Sequence, residues 1–265
     1  MVDIVLYDKL SENVLIFAIS AIRVAMAFLV APIFTEKLIP ALVRNSIFLM
    51  IAIVVVYLQP KLDFDEISAL YLIGLFAKEV FIGLAIGFFL CLFIWAFEAA
   101  GMVIDNQIGA AIAKVYDPIS GHSVTLYGEL ISRFVNYLFM STGGLLLLTV
   151  AIMESYSLWP VNQAMPELSM ASMALFESQF SSFFVLIVTL SAPVVAVMFL
   201  IDMSMGLMNR FAKRLDVFFI SMAIKGLVAL LLVVVMVPVL MEIFFIQLDL
   251  RNNGLSDYLQ GLLPI

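Results

Sequence analysis

Ten ionisable side chains stand within or beside apolar stretches of this 265-residue chain: Arg23, Lys78, Glu79, Glu98, Asp105, Glu129, Arg133, Asp202, Arg210 and Lys225. Charges in such surroundings can pair inside protein–protein contacts, snorkel to a boundary where a segment ends, or line a polar, proton-conducting path. Glu129 and Arg133 are spaced i,i+4, which on a helix gives a simple intrahelical pair. Lys78 and Glu79 are sequence neighbours, about 100° apart around a helix axis, so they are expected to seek separate partners, and this points to contacts with other chains.

Groups suited to catalysis are missing from the sequence. There is no HExxH, GxSxG or Walker loop and no acidic cluster for Mg²⁺. His122 has no second His or Cys pair at ligand spacing, and the one cysteine, Cys91, lies inside an apolar segment. No catalytic residue, metal site or cofactor is expected. The most informative stretch is AAGMVIDNQIGAAIAKVYDPISGHSVTLYG at 99–128, which separates two long apolar segments. Backbone that cannot run through as helix must be buried in protein or line an aqueous cavity, because bare peptide groups cost several kcal/mol in lipid. Gly109, Pro118 and Gly121 disfavour regular helix, and Ile104, Ile108, Ile112, Val115 and Ile119 offer apolar surface for a seal. The stretch points to a conduit.

Membrane segments must hold these residues in place. Apolar residues make up 65% of the chain and charged ones 12%, and the mean hydropathy is +1.17, against about 25% charged in a soluble domain. This is the composition of a polytopic membrane protein. A net charge of −7 with 13 scattered Lys and Arg argues against a nucleic-acid partner. Six hydrophobic segments are expected at 14–34, 41–58, 67–97, 126–153, 183–208 and 217–247, each near the roughly 20 residues that a bilayer requires. The third is overlong as one straight crossing, so it is tilted and broken or packed mainly against protein. Pro238 is expected to kink the sixth. Gly83 and Gly87 form GxxxG, which permits close helix approach with an undefined partner. The stretch PELSMASMALFESQFSS reads as an outer loop, with an amphipathic segment as the other option.

With six crossings, the connections holding Lys37, Arg44, Lys114, Arg210, Lys213 and Arg214 share one side, and the opposite loops are acidic. The positive-inside bias then puts both termini outside the cytoplasm. The start MVDIVLYDKLSENV is acidic, without a basic n-region or small-residue cleavage site, so no removable signal peptide is expected.

Several of these stretches resemble a known family. KEVFIGLAIGFFL followed by FEAAGMVIDNQIGAAIAKVYDPISG is similar to the core of the bacterial export-apparatus family shared by flagella, as FliR, and by virulence type III secretion systems, as SctT. VAPIFTEKLIPALVR, STGGLLLLTVAIMESYSLWPV and NRFAKRLDVFFISMAIKG lean to the secretion branch. The resemblance implies an all-α membrane protein of about six long hydrophobic helices, some kinked or broken, arranged as helical hairpins in a helical export gate. It implies one domain over 1–265 in the bacterial inner membrane, multi-pass and drawn partly toward the periplasm, with one copy assembled beside SctR and SctS subunits. The switch protein SctU, the SctV export gate, inner-rod and needle components, unfolded secreted proteins and membrane lipid complete the implied partners.

The resemblance also assigns places. Residues 104–123 match the family's plug, with Ile104, Ile108, Gly109, Ile112, Val115, Tyr116, Asp117, Pro118, Ile119 and Gly121 as gate residues. Arg23, Lys78, Glu79, Glu98, Asp105, Asp202 and Lys225 are read as buried charges at subunit contacts. Residues 209–216, with Asn209, Arg210, Lys213, Arg214 and Asp216, match a cytoplasm-facing partner loop. The chain departs from the family there: Lys213, Arg214, Leu215 and Asp216 stand where a Pro-Gln-Leu-Asn-like run is expected, and Ala223 replaces a Pro. The implied function is a non-enzymatic pore and gate component conducting unfolded proteins. A flagellar FliR-type component and a proton-coupled secondary transporter are the alternatives, the latter requiring paired repeats with corresponding broken helices.

Overall fold

The computed structural model describes residues 2–34, 39–58, 69–109, 125–161, 170–211 and 216–262, and within them the regular structure is helical throughout. The helices are α1 (Val2–Val30), α2 (Ala41–Leu58), α3 (Ala69–Ile108), α4 (Leu126–Ser141), α5 (Gly144–Leu158), α6 (Met170–Phe211), α7 (Val217–Asn253) and α8 (Leu255–Leu262), with a 3₁₀ turn at Pro32–Phe34. Among the described residues three helices are long and apolar enough to cross a membrane: Leu70–Ile108, Ser172–Phe211 and Val217–Asn253. A fourth candidate is the pair α4 and α5, bent by 67° at its break, and Val14–Val30 and Ala41–Val55 are shorter apolar helices. The chain is an all-α membrane protein, and each of the six expected segments coincides with one of these helices or with the bent pair.

The differences from expectation have local causes. The third segment is neither broken nor short: α3 has 40 residues, roughly 60 Å at 1.5 Å per residue. Packing against protein explains its length, since 72% of its most apolar window is buried, against 28% and 22% for the windows in α6 and α7. It also runs further than expected, so Ile104 and Ile108 are buried on its last turns and do not belong to a loop. The helix stops at Gly109, whose φ of +93° suits a residue without Cβ. The rest of the expected plug, with Ile112, Val115, Tyr116, Asp117, Pro118, Ile119 and Gly121, lies outside the described residues, as do Lys213 and Arg214. The fourth segment breaks at Gly143, φ +84°, a second special backbone position in the pair Gly143 and Gly144. The expected outer loop is helical from Met170 onward, and Asn209 and Arg210 sit on the last turn of α6. Helix α7 continues as helix through Pro238, and α6 likewise through Pro193.

The chain divides into two compact units, 1–92 with 140–179 and 251–265, and 93–139 with 180–250. In the first, α1 crosses α3 closely enough that a Cβ on Gly83 would lie 2.5 Å from the Arg23 carbonyl oxygen, and one on Gly87 would meet the backbone of Ala27. The GxxxG partner is therefore α1. Phe28 stacks on Phe48 at 5.3 Å between centroids, and Phe89 meets Phe176 edge-on at 4.4 Å. In the second unit Phe93, Phe97 and Phe139 gather with Phe244, the closest of the Phe244 pairs being Phe93 at 5.6 Å. There α3 crosses the start of α4 through glycines: a Cβ on Gly101 would come within 2.6 Å of the Gly128 Cα. The outward faces of α6 and α7 expose Phe184, Val188, Leu200, Leu231 and Val235, as lipid or partner helices require.

These contacts separate the glycines of α3 by role. Gly87→Val drives a branched side chain into backbone that cannot yield and should cost about 1–3 kcal/mol, seen as a lower unfolding temperature in detergent. A Cβ on Gly74 would meet nothing within 4 Å, so Gly74→Ala should leave that temperature unchanged or raise it through helix propensity.

Candidate functional site

Among the described residues each unit holds a polar constellation, and each is built where a helix would otherwise leave charges or peptide groups unmatched. In the first unit the close crossing of α1 and α3 brings Arg23 against Glu79, both fully buried. The guanidinium donates from Nε to Glu79 Oε2 at 2.6 Å and from Nη2 to Oε1 at 2.8 Å, a two-point ion pair. Two further donors reach the Ser155 hydroxyl at 3.1 Å and the Trp159 carbonyl at 2.9 Å. Its plane carbon lies 4.0 Å from the Tyr156 ring centroid, and the Tyr156 hydroxyl donates to the Ser20 carbonyl at 2.5 Å. Lys78 donates to the carbonyls of Pro160 at 2.9 Å and Val161 at 2.8 Å, and sits 3.2 Å from Glu79 Oε1.

Lys78 and Glu79 thus have different chief partners, as their helical spacing requires, yet they belong to one cluster. The partners described here for both are residues of the same chain. Two long side chains 100° apart can still converge on a third helix end lying between them. The sequence reading missed Ser155, Tyr156 and the carbonyls of 159–161, and the one signal for them was Pro160 closing an apolar helix.

In the second unit the polar groups collect around the two ends of residues 110–124. The Asp105 carboxylate, buried on α3, accepts the Tyr127 N–H at 3.2 Å and the Gly128 N–H at 2.9 Å. Those donors belong to the first turn of α4, whose leading N–H groups have no carbonyl within the helix, and the negative charge also complements the helix dipole. Lys225, on α7, does the converse for the last turn of α3. Its ammonium donates to the Gln107 carbonyl at 3.0 Å and is held by Asp202 of α6 at 2.8 Å. The Tyr127 hydroxyl donates to the Gly226 carbonyl at 2.7 Å, and Ser132 donates to Glu98 at 3.1 Å. So α3, α4, α6 and α7 meet in one polar layer, and both stems that flank 110–124 are fixed to it. Glu129 and Arg133 form the i,i+4 pair at 2.6 Å on an exposed face, apart from this layer. Arg210 and Asp216 are exposed at the two ends of the α6–α7 connection, as is Asn209. Among the described residues no group of three His, Cys, Asp or Glu side chains converges as metal ligands.

Comparison with known proteins gives this arrangement its setting. The family model for bacterial export proteins, family 1, matches residues 14–249. The chain belongs to this family. It is 34% identical over 232 residues to the Yop proteins translocation protein T of Yersinia pestis, covering 86% of this chain and 88% of that protein. It is 29% identical to the flagellar biosynthetic protein FliR of Bacillus subtilis over 245 residues, 91% and 94% of the two chains. The secretion system apparatus protein SsaT of Salmonella typhimurium is 27% identical over 262 residues, 95% and 98% of the two. The family match spans residues of both units.

The two kinds of ion pair in this member of the export family should respond very differently to neutralisation. Glu79→Gln leaves two buried cations without their carboxylate and should cost about 3–5 kcal/mol, so that little folded protein is recovered from membranes. Glu129→Gln neutralises an exposed pair and should change stability by less than about 1 kcal/mol. Thermal unfolding of both variants in the same detergent compares them directly.

Proposed function

We propose that this chain is a non-enzymatic pore and gate component of a type III secretion export apparatus, conducting unfolded proteins across the bacterial inner membrane with energy supplied elsewhere. The observation that carries the reading is the polar layer of the second unit, in which Asp105 and Lys225 fix the helix ends on either side of residues 110–124. A segment that must open and reclose needs a base that stays in place, and these contacts supply one. Its aliphatic residues Ile112, Val115 and Ile119 contribute roughly 1.5–3 kcal/mol each when buried. That is enough to bias a closed state and weak enough for an arriving polypeptide to displace.

The secretion branch is favoured over the flagellar one by the name of the Yersinia relative together with its identity of 34%. In this reading SctR and SctS subunits cover the exposed apolar faces of α6 and α7. The basic connection with Arg210, Lys213 and Arg214 faces the cytoplasm, toward SctU and SctV. Both termini lie on the periplasmic side, as the loop charges favour. Arg23, Lys78 and Glu79 act as internal anchors, and Asp202 and Lys225 as the tie between the α6–α7 hairpin and the plug base.

Conductance of the assembled complex in planar bilayers tests the gate. Deleting 110–124 behind a short Gly-Ser bridge should leave assembly intact and raise the closed-state conductance to small ions. An assembled complex whose closed-state conductance is unchanged by the deletion would contradict the plug assignment, whatever happens to secretion.

A further inference from the structure

Helix α1 carries a full positive charge in the middle of its apolar part. That part, Val14–Val30, is a few residues short of the roughly 20 that a bilayer requires, and Arg23 sits near its centre. A central arginine offsets the gain from roughly seven Leu, Ile, Phe or Val side chains, and Val14–Val30 holds ten of these. Taken alone, α1 is therefore close to the balance between entering a bilayer and staying out. In the fold Arg23 is nonetheless fully buried, and the groups that accept its hydrogen bonds all come later in the chain. Glu79 of α3 is 56 positions on, and Ser155 and the Trp159 carbonyl at the end of α5 are 132 and 136 positions on.

Glu79 is the first of these groups to be synthesised and the one that brings a negative charge. A guanidinium that leaves water for an apolar environment needs its counter-charge with it, and two short hydrogen bonds hold the Glu79 carboxylate to Arg23. Helix α3 also has what α1 lacks, since Leu70–Ile108 is long and apolar enough to cross a membrane. Its docking face is continuous: Glu79, Gly83 and Gly87 are spaced i, i+4, i+8, and they meet Arg23 and Ala27, spaced i, i+4 on α1. One stripe of α3 thus offers a carboxylate and two gaps to one stripe of α1. We infer that α3 is the acceptor that carries α1 into the membrane, with α1 entering as a helix already paired through Arg23 and Glu79. Because α1 precedes α3 in the chain, it waits outside the hydrocarbon until Glu79 is available. The two helices belong to the first unit, so this order of insertion is independent of the gate reading.

The two ends of α1 report where it lies. In the full chain with Cys91→Ala, a single cysteine is placed either ahead of Met1 or as Thr35→Cys. A membrane-impermeant maleimide is then applied to either side of the membrane, in pulse-labelled spheroplasts and in inverted vesicles, before degradation can select among chains. The parent should label the two positions from opposite sides. With Glu79→Leu, about half of the chains or more should label both from the same side, as for a helix near its balance point. Adding Arg23→Leu to Glu79→Leu should restore the parent pattern, because the apolar helix then inserts unaided. Glu79 also faces Lys78 at 3.2 Å, and Lys78 is the same in both variants, so the difference between them reads Arg23. A pair that only holds the folded state together would lower the unfolding temperature of Glu79→Leu and leave its labelling like that of the parent. That result overturns the inference, as does a parent labelled at both positions from one side, or an Arg23→Leu/Glu79→Leu chain labelled like Glu79→Leu.

Discussion

A charge or a bare peptide group among apolar side chains must find a partner within reach, and in this chain that constraint falls mainly on α3. The helix carries Lys78, Glu79, Glu98 and Asp105 in 40 residues whose apolar window is mostly buried. Glu79 meets Arg23 of α1, and that pair can form only because Gly83 and Gly87 let the two backbones approach. Lys78 then needs oxygen, and the free carbonyls at the end of α5 provide it. Asp105 needs donors, and the free N–H groups at the start of α4 provide them. In both units a helix end that would be costly if left bare is matched to a side chain that would be costly if left alone. Buried ion pairs of this kind contribute little net stability against apolar packing, but losing one partner is severe, so they specify arrangement more than they add strength.

From that pairing follows what the second unit can do. Lys225 on the Gln107 carbonyl and Asp105 on the Tyr127 and Gly128 N–H groups fix the two stems at the level of one polar layer, with Asp202 of α6 steering the ammonium. Residues between fixed stems can change conformation without unravelling the helices on either side. In the proposed reading this is the property a gate requires: an arriving polypeptide would act on a short segment while the helices hold their places.

How much of this was legible in the sequence depended on the kind of signal. Hydropathy located the apolar helices, because burial in lipid or protein needs long runs that leave little ambiguity. The pair Glu129 and Arg133 followed from spacing alone, since both residues lie on one helix. Contacts between helices did not follow. Arg23 and Glu79 are 56 positions apart, and nothing local to either one announces the other. Backbone acceptors are invisible to residue-type reasoning, so the carbonyls of 159–161 and Gln107 escaped it although they accept from Arg23, Lys78 and Lys225. An interruption beginning at Ala99 starts too early, because Gly101 is a packing glycine inside α3. The residue that ends the helix is Gly109, where φ turns positive. Gly143 carries the same signal, hidden inside an apolar run.

If a fixed polar base holds residues 110–124 closed, a single carboxylate outside that segment should control the seal. Planar-bilayer conductance of the assembled complex carrying Asp105→Ala reads the closed state directly, once recovery of the complex has been matched to the parent. A raised closed-state conductance is expected, because the first turn of α4 loses its acceptor and the stem loosens. A complex that assembles normally and stays as tight as the parent would contradict the gate reading.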